Sequence, residues 1–214
     1  MVERINLEKD GLGRAVARAT EVLRAGGIIL YPTDTLYGLG GDAFSDEAFR
    51  KVCAIKFRDE RRPVHAVFAD LAMVATYAEI SPLGEALARA FLPGPLTIVL
   101  KKKEGLTGGV GHNLETIGVR IPDNKFCLAL ARAFGKPYTT TSANISGAQP
   151  EATLDEIIAQ LEERADSIDL IIDGGPLSPF LRSTVVHACG DTPHILREGA
   201  ISEEEIMRVA GSIR

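Results

Sequence analysis

The sequence predicts an α/β fold in which helices flank a twisted, open, mixed sheet of parallel and antiparallel strands. Short apolar runs rich in β-branched residues alternate with amphipathic helical segments over most of the 214 residues. Towards the end the predicted strands follow one another closely, as in a hairpin. No Pro/Ser/Gly-rich linker divides the chain, so we expect a single domain over residues 1–214.

Most helices are predicted from a capping residue followed by apolar residues at helical spacing. Ser45, Asp70, Ser81 and Ser202 are such caps, and Thr153 opens a capping box with Glu156. The predicted helices cover residues 12–24, 46–55, 71–77, 82–91, 124–134 and 153–165, and a last one follows residue 202.

The strands are predicted from short apolar runs bounded by turn residues. The run 28–31 is the most informative, because it ends abruptly in Pro32-Thr-Asp-Thr35 and would deliver hydroxyl and carboxyl groups to the carboxyl end of a buried strand. Ligands of open α/β sheets usually bind at such ends. The other predicted strands cover residues 64–68, 96–100, 117–121, 137–141, 170–173, 183–188 and 194–197, of which the last two form a hairpin.

Composition and charge exclude several classes of protein. A net charge of −5 and a pI near 5.5 argue against bulk binding of nucleic acid. The sequence starts without the apolar core of a signal peptide and has no apolar run long enough to cross a bilayer. The three cysteines include no C-x-x-C pair, which favours buried thiols in a reducing cytosol. The four histidines lack metal-ligand spacing, so no protein-bound metal is expected.

Four predicted strand ends carry polar clusters, and a basic segment accompanies them. One such cluster alone usually caps a turn, but four in one chain favour a polar cleft for an anionic ligand with many oxygens. The clusters are Thr33-Asp34-Thr35, Thr116 with Arg120, Thr140-Thr141-Ser142 with Asn144, and Ser183-Thr184, and the basic residues are Arg50, Lys51, Lys56, Arg58, Arg61 and Arg62.

Lys56 and Arg58 follow a predicted helix and would lie on one side of the chain if the backbone there is extended. Such a pair can hold phosphate or carboxylate oxygens, the arginine through two donors and the lysine as a point charge. Ser142 and Asn144 can donate to a ligand or brace their own turn.

Several familiar catalytic motifs are missing from the sequence. There is no phosphate-binding Walker loop and no G-x-S-x-G elbow, and the glycines at 38 and 40 lie too far from the preceding strand for a dinucleotide fingerprint. The chemistry should therefore depend on positioning and charge stabilisation more than on a covalent nucleophile.

Seven motifs, taken together, resemble the YrdC family, specifically its threonylcarbamoyl-adenylate synthases in their short, single-domain form. They occur in the family's order across nearly the whole chain. The motifs are Tyr31-Pro-Thr-Asp-Thr-x-Tyr-Gly-Leu-Gly40, Lys56-x-Arg58 with Pro63, Leu92-Pro-Gly-Pro-x-Thr97, Thr116-Ile-Gly-Val-Arg-Ile-Pro122, Thr141-Ser-Ala-Asn144 with Ser146-Gly147, Ser183-Thr-Val-Val186, and Arg197-x-Gly199.

The resemblance implies a cytoplasmic nucleotidyltransferase with a large concave cleft. Such enzymes join L-threonine, bicarbonate or CO₂, and ATP into threonylcarbamoyl-AMP and pyrophosphate, with Mg²⁺ carried in by ATP. A partner transferase then passes the threonylcarbamoyl group to transfer RNA.

The resemblance also implies which residues form the site. Lys56, Arg58, Ser142 and Asn144 would be catalytic. ATP would contact Lys56, Arg58, Arg62, Thr116, Asn144, Thr153 and Arg197, and threonine would contact Thr33, Thr35, Arg120, Ser142 and Ser183. Arg120 would bind the threonine carboxylate because its fork matches two oxygens.

Two departures from the family pattern bear on the substrate. Phe57 stands where the family usually has glycine, so we expect a loop of different shape. Val67 stands where the synthases often have histidine, while His65 lies two residues earlier and hence on the same strand face. Two alternatives therefore stay open: an enzyme of the same fold acting on another carbamoyl or carboxylate substrate, and a module that binds double-stranded RNA.

Overall fold

The computed structural model describes residues 2–62, 64–104, 107–111, 114–177 and 181–212. Its elements, in chain order, are β1 (Glu3–Asn6), α1 (Leu7–Asp10), α2 (Leu12–Arg24), β2 (Ile29–Pro32), β3 (Tyr37–Gly40), α3 (Asp46–Ile55), β4 (His65–Val67), α4 (Leu71–Tyr77), β5 (Ala78–Glu79), α5 (Pro82–Phe91), β6 (Leu96–Lys102), β7 (Thr116–Arg120), α6 (Lys125–Phe134), β8 (Tyr138–Ser142), α7 (Leu154–Leu161), β9 (Leu170–Asp173), β10 (Thr184–His187), β11 (His194–Arg197) and α8 (Glu203–Gly211). Short 3₁₀ turns cover Gly109–Gly111 and Glu162–Ser167.

The described strands form one mixed sheet in the order β1-β9-β2-β3-β8-β4-β7-β6-β10-β11, and β5 pairs with β6. Four pairs are parallel (β1/β9, β2/β9, β4/β7 and β6/β10), and the other pairs are antiparallel. The predicted hairpin of β10 and β11 is confirmed by their antiparallel pairing.

The helices form where their caps predict them. Ser45, Asp70 and Ser81 each accept a backbone N–H of the first turn, and Thr153 and Ser202 form complete capping boxes. The helix expected over 153–165 is clearly shorter than predicted, since α7 ends at Leu161 and a 3₁₀ turn continues the segment.

Strands β1, β3 and β5 were not predicted, and β3 changes the meaning of the Thr33-Asp34-Thr35 cluster. Tyr37–Gly40 pairs antiparallel with β2, so the cluster lies in the turn of a hairpin and not at the free end of a strand. A Cβ at Gly38 or Gly40 would approach the Tyr31 ring to 3.1 or 2.8 Å. The two glycines therefore let this aromatic ring pack flat on the neighbouring strand.

Apolar side chains cover both faces of the sheet, but not evenly. On one face α2 and α6 pack on β2, and on the other α3, α4, α5, α7 and α8 supply buried side chains to two further clusters. Along β7, Ile117 and Val119 join the second face. Gly118 and Arg120 alternate to the first face, where neither belongs to a described apolar cluster. This part of the sheet, over β4, β7, β6 and β10, is called the open face below.

Candidate active site

A cavity of about 320 Å³ lies on the open face. The residues that line it come from the β2–β3 hairpin, the segment after α3, and strands β4, β6, β7, β8, β10 and β11. The lining residues are Thr33, Thr35, Leu36, Tyr37, Gly38, Arg58, Val64, His65, Thr97, Arg120, Pro122, Thr140, Thr141, Ser142, Arg182, Ser183, Val185, Leu196 and Arg197.

Strand register explains why distant segments meet here. Val67, Arg120, Thr97, Val185 and Arg197 are successive partners across β4, β7, β6, β10 and β11. Residues in such a row share one face of the sheet. The row therefore delivers two arginines and a threonine to the same surface.

The β2–β3 turn presents its hydroxyl groups to the cavity in a fixed arrangement. Thr33 Oγ1 donates to the carbonyl oxygen of Leu36 at 2.7 Å and accepts the backbone N–H of Thr35 at 3.1 Å. The Thr33 and Thr35 hydroxyl oxygens are 3.1 Å apart. These local hydrogen bonds hold the turn rigid and leave the Thr35 hydroxyl able to serve a ligand.

Arg120 is a buried cation that is only partly satisfied. One guanidinium nitrogen, Nη2, donates to Asp34 Oδ1 at 2.5 Å, and the Asp34 carboxylate also accepts the backbone N–H of Asp123. Arg120 Nε is buried and has no hydrogen-bond partner in the described part of the chain. An unmet buried donor costs roughly 1–3 kcal/mol. A ligand oxygen beside this atom would remove that cost.

A second group of donors lies at the β10–β11 side of the cavity. Arg197 donates from Nε and Nη2 to the Ser183 carbonyl oxygen at 3.2 and 2.9 Å, and from Nη2 to the Ser183 hydroxyl at 3.0 Å. The Ser183 and Thr97 hydroxyl oxygens are 3.3 Å apart. Burial, followed by the charges of Arg182, Arg120 and Arg58, lowers the pKa of Arg197, because these cations repel one another.

The segment that carries Lys56 and Arg58 is the C-terminal cap of α3. The Phe57 N–H donates to the Ala54 carbonyl oxygen at 3.1 Å and the Arg58 N–H to that of Cys53 at 2.9 Å, which is the Schellman pattern. Phe57 has φ +49°, the left-handed conformation usually given to glycine at this position. Phe57 thus adopts a conformation that glycine would favour. A difference in loop shape from the family stays a prediction.

Lys56 does not face the cavity, contrary to the expectation for an extended backbone. Its side chain is 2% exposed, and Nζ donates to the carbonyl oxygens of Ser142 and Asn144, the latter at 2.7 Å, and to Asn144 Oδ1 at 3.3 Å. The helical and left-handed backbone at positions 56 and 57 turns the two cations in different directions. Burial, with the charges of Arg58 and Arg182, lowers the pKa of Lys56 to about 7, while the three acceptors favour its charged form.

Asn144 braces the turn after β8. It is 4% exposed, and Nδ2 donates to the carbonyl oxygens of Ile145 at 2.9 Å and Ala148 at 2.8 Å. Its Oδ1 accepts the Ser142 hydroxyl at 2.5 Å. Lys56 and Asn144 therefore shape the wall that presents Ser142, and neither lines the cavity.

The structure thus brings together seven of the predicted site residues at the cavity wall and places two directly behind it. The seven are Thr33, Thr35, Arg58, Arg120, Ser142, Ser183 and Arg197. Three others lie apart from the wall. Thr116 is on the same face of β7 as Arg120, two steps beyond Gly118, so a ligand extending along the open face would reach it. Arg62 lines a neighbouring cavity, and the Thr153 side chain is engaged with Glu156 in the capping box of α7.

Sequence reasoning left several lining residues out of the site. Thr97, Thr140 and Arg182 stand in or beside the polar motifs, but nothing in their spacing distinguishes them from structural residues. In the sequence, His65 is distinguished only by its position two residues before Val67. The structure separates the two, since His65 lines the cavity and Val67 is buried in the apolar cluster with Tyr31 and Phe126.

The chemistry of the wall suits a polyanion. The described lining residues include four arginines and no acidic residue, and the carboxylate of Asp34, in the β2–β3 turn, is bound to Arg120. Guanidinium groups bind phosphate and carboxylate oxygens with two parallel hydrogen bonds.

Among the residues that the structure describes, no group of three His, Cys, Asp or Glu side chains could hold a metal ion. No described helix is long and apolar enough to cross a membrane.

Comparison with known proteins places the chain in a family. The family model Sua5_yciO_yrdC, described as "Telomere recombination", matches residues 21–199. The chain belongs to this family, which confirms the resemblance carried by the seven motifs.

Several curated relatives have a common name. The chain is 34% identical to the threonylcarbamoyl-AMP synthase of Bacillus subtilis, over 92% of this chain and 57% of that protein. It is 37% identical to the putative threonylcarbamoyl-AMP synthase of Methanocaldococcus jannaschii, over 86% of this chain and 84% of that protein. The chain thus spans less than two thirds of the first of these relatives and most of the second.

Solved structures confirm the predicted fold class. P. abyssi Sua5 complexed with L-threonine superposes with a TM-score of 0.85 at 32% identity, covering 100% of this chain and 62% of that one. E. coli YciO superposes with a TM-score of 0.81 at 30% identity, covering 96% of this chain and 98% of that one. Both similarities extend over nearly the whole of this chain.

Proposed function

We propose that this protein is a cytoplasmic threonylcarbamoyl-AMP synthase. It would join L-threonine, bicarbonate or CO₂, and ATP, and release pyrophosphate. The observation that carries the proposal is the unmet Nε of buried Arg120, which lies in the same cavity as three further arginines. The names of the relatives and the threonine complex of P. abyssi Sua5 support this choice of substrates.

Threonine would bind at the hairpin side of the cavity. Arg120 would donate to its carboxylate, and the hydroxyls of Thr33, Thr35, Ser142 and Ser183 would contact its polar groups. ATP would bind along the arginines, with Arg58 and Arg197 on its phosphates and Arg62, Thr116 and Thr153 as outer contacts. Lys56 and Asn144 would act from behind by fixing Ser142.

In the proposed reaction the threonine amine adds to CO₂ and loses a proton, or adds to bicarbonate with loss of water, to give a carbamate. A carboxylate oxygen of this carbamate then attacks the α-phosphorus of ATP, and the bond between that phosphorus and the bridging oxygen of pyrophosphate breaks. Arg58 and Arg197 would stabilise the charge that develops on the phosphates, since fixed cations in a site of low dielectric need no reorganisation. Magnesium carried in with ATP would supply further charge compensation on the leaving group. The labile product would pass to a partner transferase that modifies transfer RNA.

The experiment that tests the proposal is pyrophosphate release from ATP and bicarbonate with L-threonine against a panel of other amino acids. Release should depend on threonine, and Arg120→Lys should raise the KM for threonine at least about tenfold because the second donor is lost. Arg132→Lys, on the exposed side of α6, is the matched control. Stimulation by another amino acid alone would favour an enzyme of the same fold with a different substrate. RNA binding without any turnover would favour the RNA-binding alternative.

A further inference from the structure

We propose that His65 is an anion-responsive binding residue: neutral in the empty cavity, it takes up a proton when an anionic substrate binds and then donates a hydrogen bond to it. This inference rests on the proposed function for the identity of the anion. It depends on three features of the structure: the space that Gly118 leaves for the His65 ring, the position of the ring on the cavity wall, and the charges around it.

The His65 ring packs over Gly118 of the neighbouring strand β7. A Cβ added to Gly118, which precedes the paired residues Val119 and Arg120 on β7, would come within 2.4 Å of the ring carbon Cδ2. Real side chains do not tolerate that distance, so only glycine leaves room for the imidazole. On its other side His65 pairs with Thr140 of β8, which also lines the cavity. The ring is thereby held at the wall in one place.

The charges that face His65 are almost all positive. Arg120 comes from β7, Arg58 from the segment after α3, and Arg197 from β11, and all three line the same cavity. Arg182, before β10, adds a fourth guanidinium. Lys56 lies behind the wall, and the carboxylate of Asp34 is paired with Arg120. Strand β8 contributes only hydroxyl groups.

These surroundings favour the neutral ring while no anion is bound. Removal from solvent, followed by the charges of Arg197, Arg58 and Arg120, lowers the pKa of His65 from 6.5 to about 3. A polyphosphate that binds those same arginines cancels their repulsion and adds negative charge beside the ring, and both effects raise the pKa. By linkage, a group whose pKa rises on binding takes up a proton, and the anion binds more tightly as the pH falls.

A histidine that only fills space over Gly118 would behave differently. If its ring were out of range of the bound anion, its protonation would not change when the cavity is filled, and its replacement by a neutral side chain of similar shape would leave the pH dependence of binding unaltered. Proton uptake therefore separates a binding role from a packing role.

The test is calorimetric titration with ATP at pH 5, 6 and 7.5, each in two buffers of different ionisation enthalpy, so that protons taken up per bound ATP are counted. His65→Asn is the variant. His187→Asn is the matched control, because His187 lies in the same row of the sheet, beyond Gly118 and Val99, and does not line the cavity. Protons exchanged by ATP itself are common to all three proteins and cancel in the comparison.

We expect the wild type and His187→Asn to take up more protons at pH 5 than His65→Asn does, with the excess gone by pH 7.5. Their affinity for ATP should increase on the order of threefold between pH 7.5 and pH 5, beyond any change seen in His65→Asn. Equal proton uptake in all three proteins would overturn the inference.

A second measurement needs no substitution. The pH titration of the His65 ring carbon signals by NMR should move to higher pH when ATP or inorganic triphosphate is added. An unmoved titration with both anions overturns the inference, even if threonine-dependent pyrophosphate release supports the proposed function. If ATP fails to bind and release is absent, the proposed function falls, and the triphosphate titration still decides the role of His65.

Discussion

At the scale of single residues, Phe57 carries two costs at once. Its φ of +49° is unfavourable for a residue with a Cβ by roughly 1–2 kcal/mol, and its ring is 76% exposed. The hydrogen bonds of the cap hold it there, and the Arg164 guanidinium lies 5.6 Å from the ring centroid. Hydrogen bonds at the end of α3, and not the residue type, therefore set the geometry of the loop.

Two substitutions of Phe57 should have opposite effects on stability. Phe57→Gly should stabilise the protein by up to about 1 kcal/mol, because relief of the left-handed conformation outweighs the flexibility that glycine adds to the unfolded chain. Phe57→Val should destabilise it by at least about 1 kcal/mol, since a β-branched residue adopts this conformation least readily. Urea denaturation measures both, and equal stabilities would show that position 57 is not constrained.

Lys56 and Arg58 should also differ in stability when truncated. Lys56→Ala removes the donor to three oxygens of Ser142 and Asn144 and leaves a buried gap, so a loss of about 2–4 kcal/mol is expected. Arg58→Ala, at the cavity wall, should cost less than about 1 kcal/mol. Both should abolish pyrophosphate release. A Lys56→Ala variant as stable as the wild type would mean that Nζ does not hold the turn.

At the scale of secondary structure, the helices were predictable because their caps are local. Ser45, Ser81 and Ser202 each stand directly before an apolar helical pattern, and each caps a helix in the structure. Strand β3 was missed because Gly38 and Gly40 have low strand propensity. They form a strand because the Tyr31 ring needs the space above them, a contact between strands that the sequence does not reveal.

In the site, too, features set by local sequence were predictable, and features set by contacts between distant segments were not. The hydroxyl clusters at 33–35 and 142 were expected at strand ends, and they line the cavity. The inward direction of Lys56 was not predictable, because it depends on one left-handed residue and on acceptors 86 and 88 positions away in the chain. The role of His65 depends on the packing of its ring over Gly118. The pairing of β4 with β7 creates this contact, and the sequence does not reveal it.

The cap of α7 provides a prediction at this scale. The Thr153 hydroxyl accepts the Glu156 N–H and donates to its carboxylate, so Thr153→Ala should lower stability by about 1 kcal/mol. Ser202→Ala, in the matching capping box of α8, is the control. If Thr153 serves only as a cap, both variants keep the KM for ATP of the wild type. A raised KM in Thr153→Ala alone would assign this residue to the nucleotide site as well.

At the scale of the whole molecule, charge is distributed unevenly. The chain has a net charge of −5, yet four arginines converge on one cavity. Helices and apolar clusters stabilise the rest of the sheet, while the open face holds cations that repel one another when no anion is present. Electrostatic repulsion among these arginines therefore opposes folding of the ligand-free protein. Because the same charges lower the pKa of His65, they also make the stability of the protein depend on pH.

The sign of that dependence follows from the pKa of His65, which is about 3 in the folded protein against an ordinary value of 6.5. Above pH 6.5 the ring is neutral whether the chain is folded or not. As the pH falls towards 3 the unfolded chain binds a proton that the folded cavity rejects, so stability is lost progressively. We expect the free energy of unfolding to fall by on the order of 3 kcal/mol between pH 7 and pH 4 because of this group. Urea denaturation at pH 7, 5.5 and 4 measures the change.

Carboxylate titration contributes to acid unfolding in every variant. The effect of His65 is therefore measured as the difference between the wild type and each histidine variant in the stability lost on acidification. His65→Asn should lose less stability between pH 7 and 4 than the wild type, and His187→Asn should follow the wild type. Saturating ATP should flatten the wild-type curve towards that of His65→Asn, because bound phosphate removes the repulsion that keeps the ring neutral. Parallel curves for all three proteins without ligand would show that the cavity imposes no proton penalty on His65.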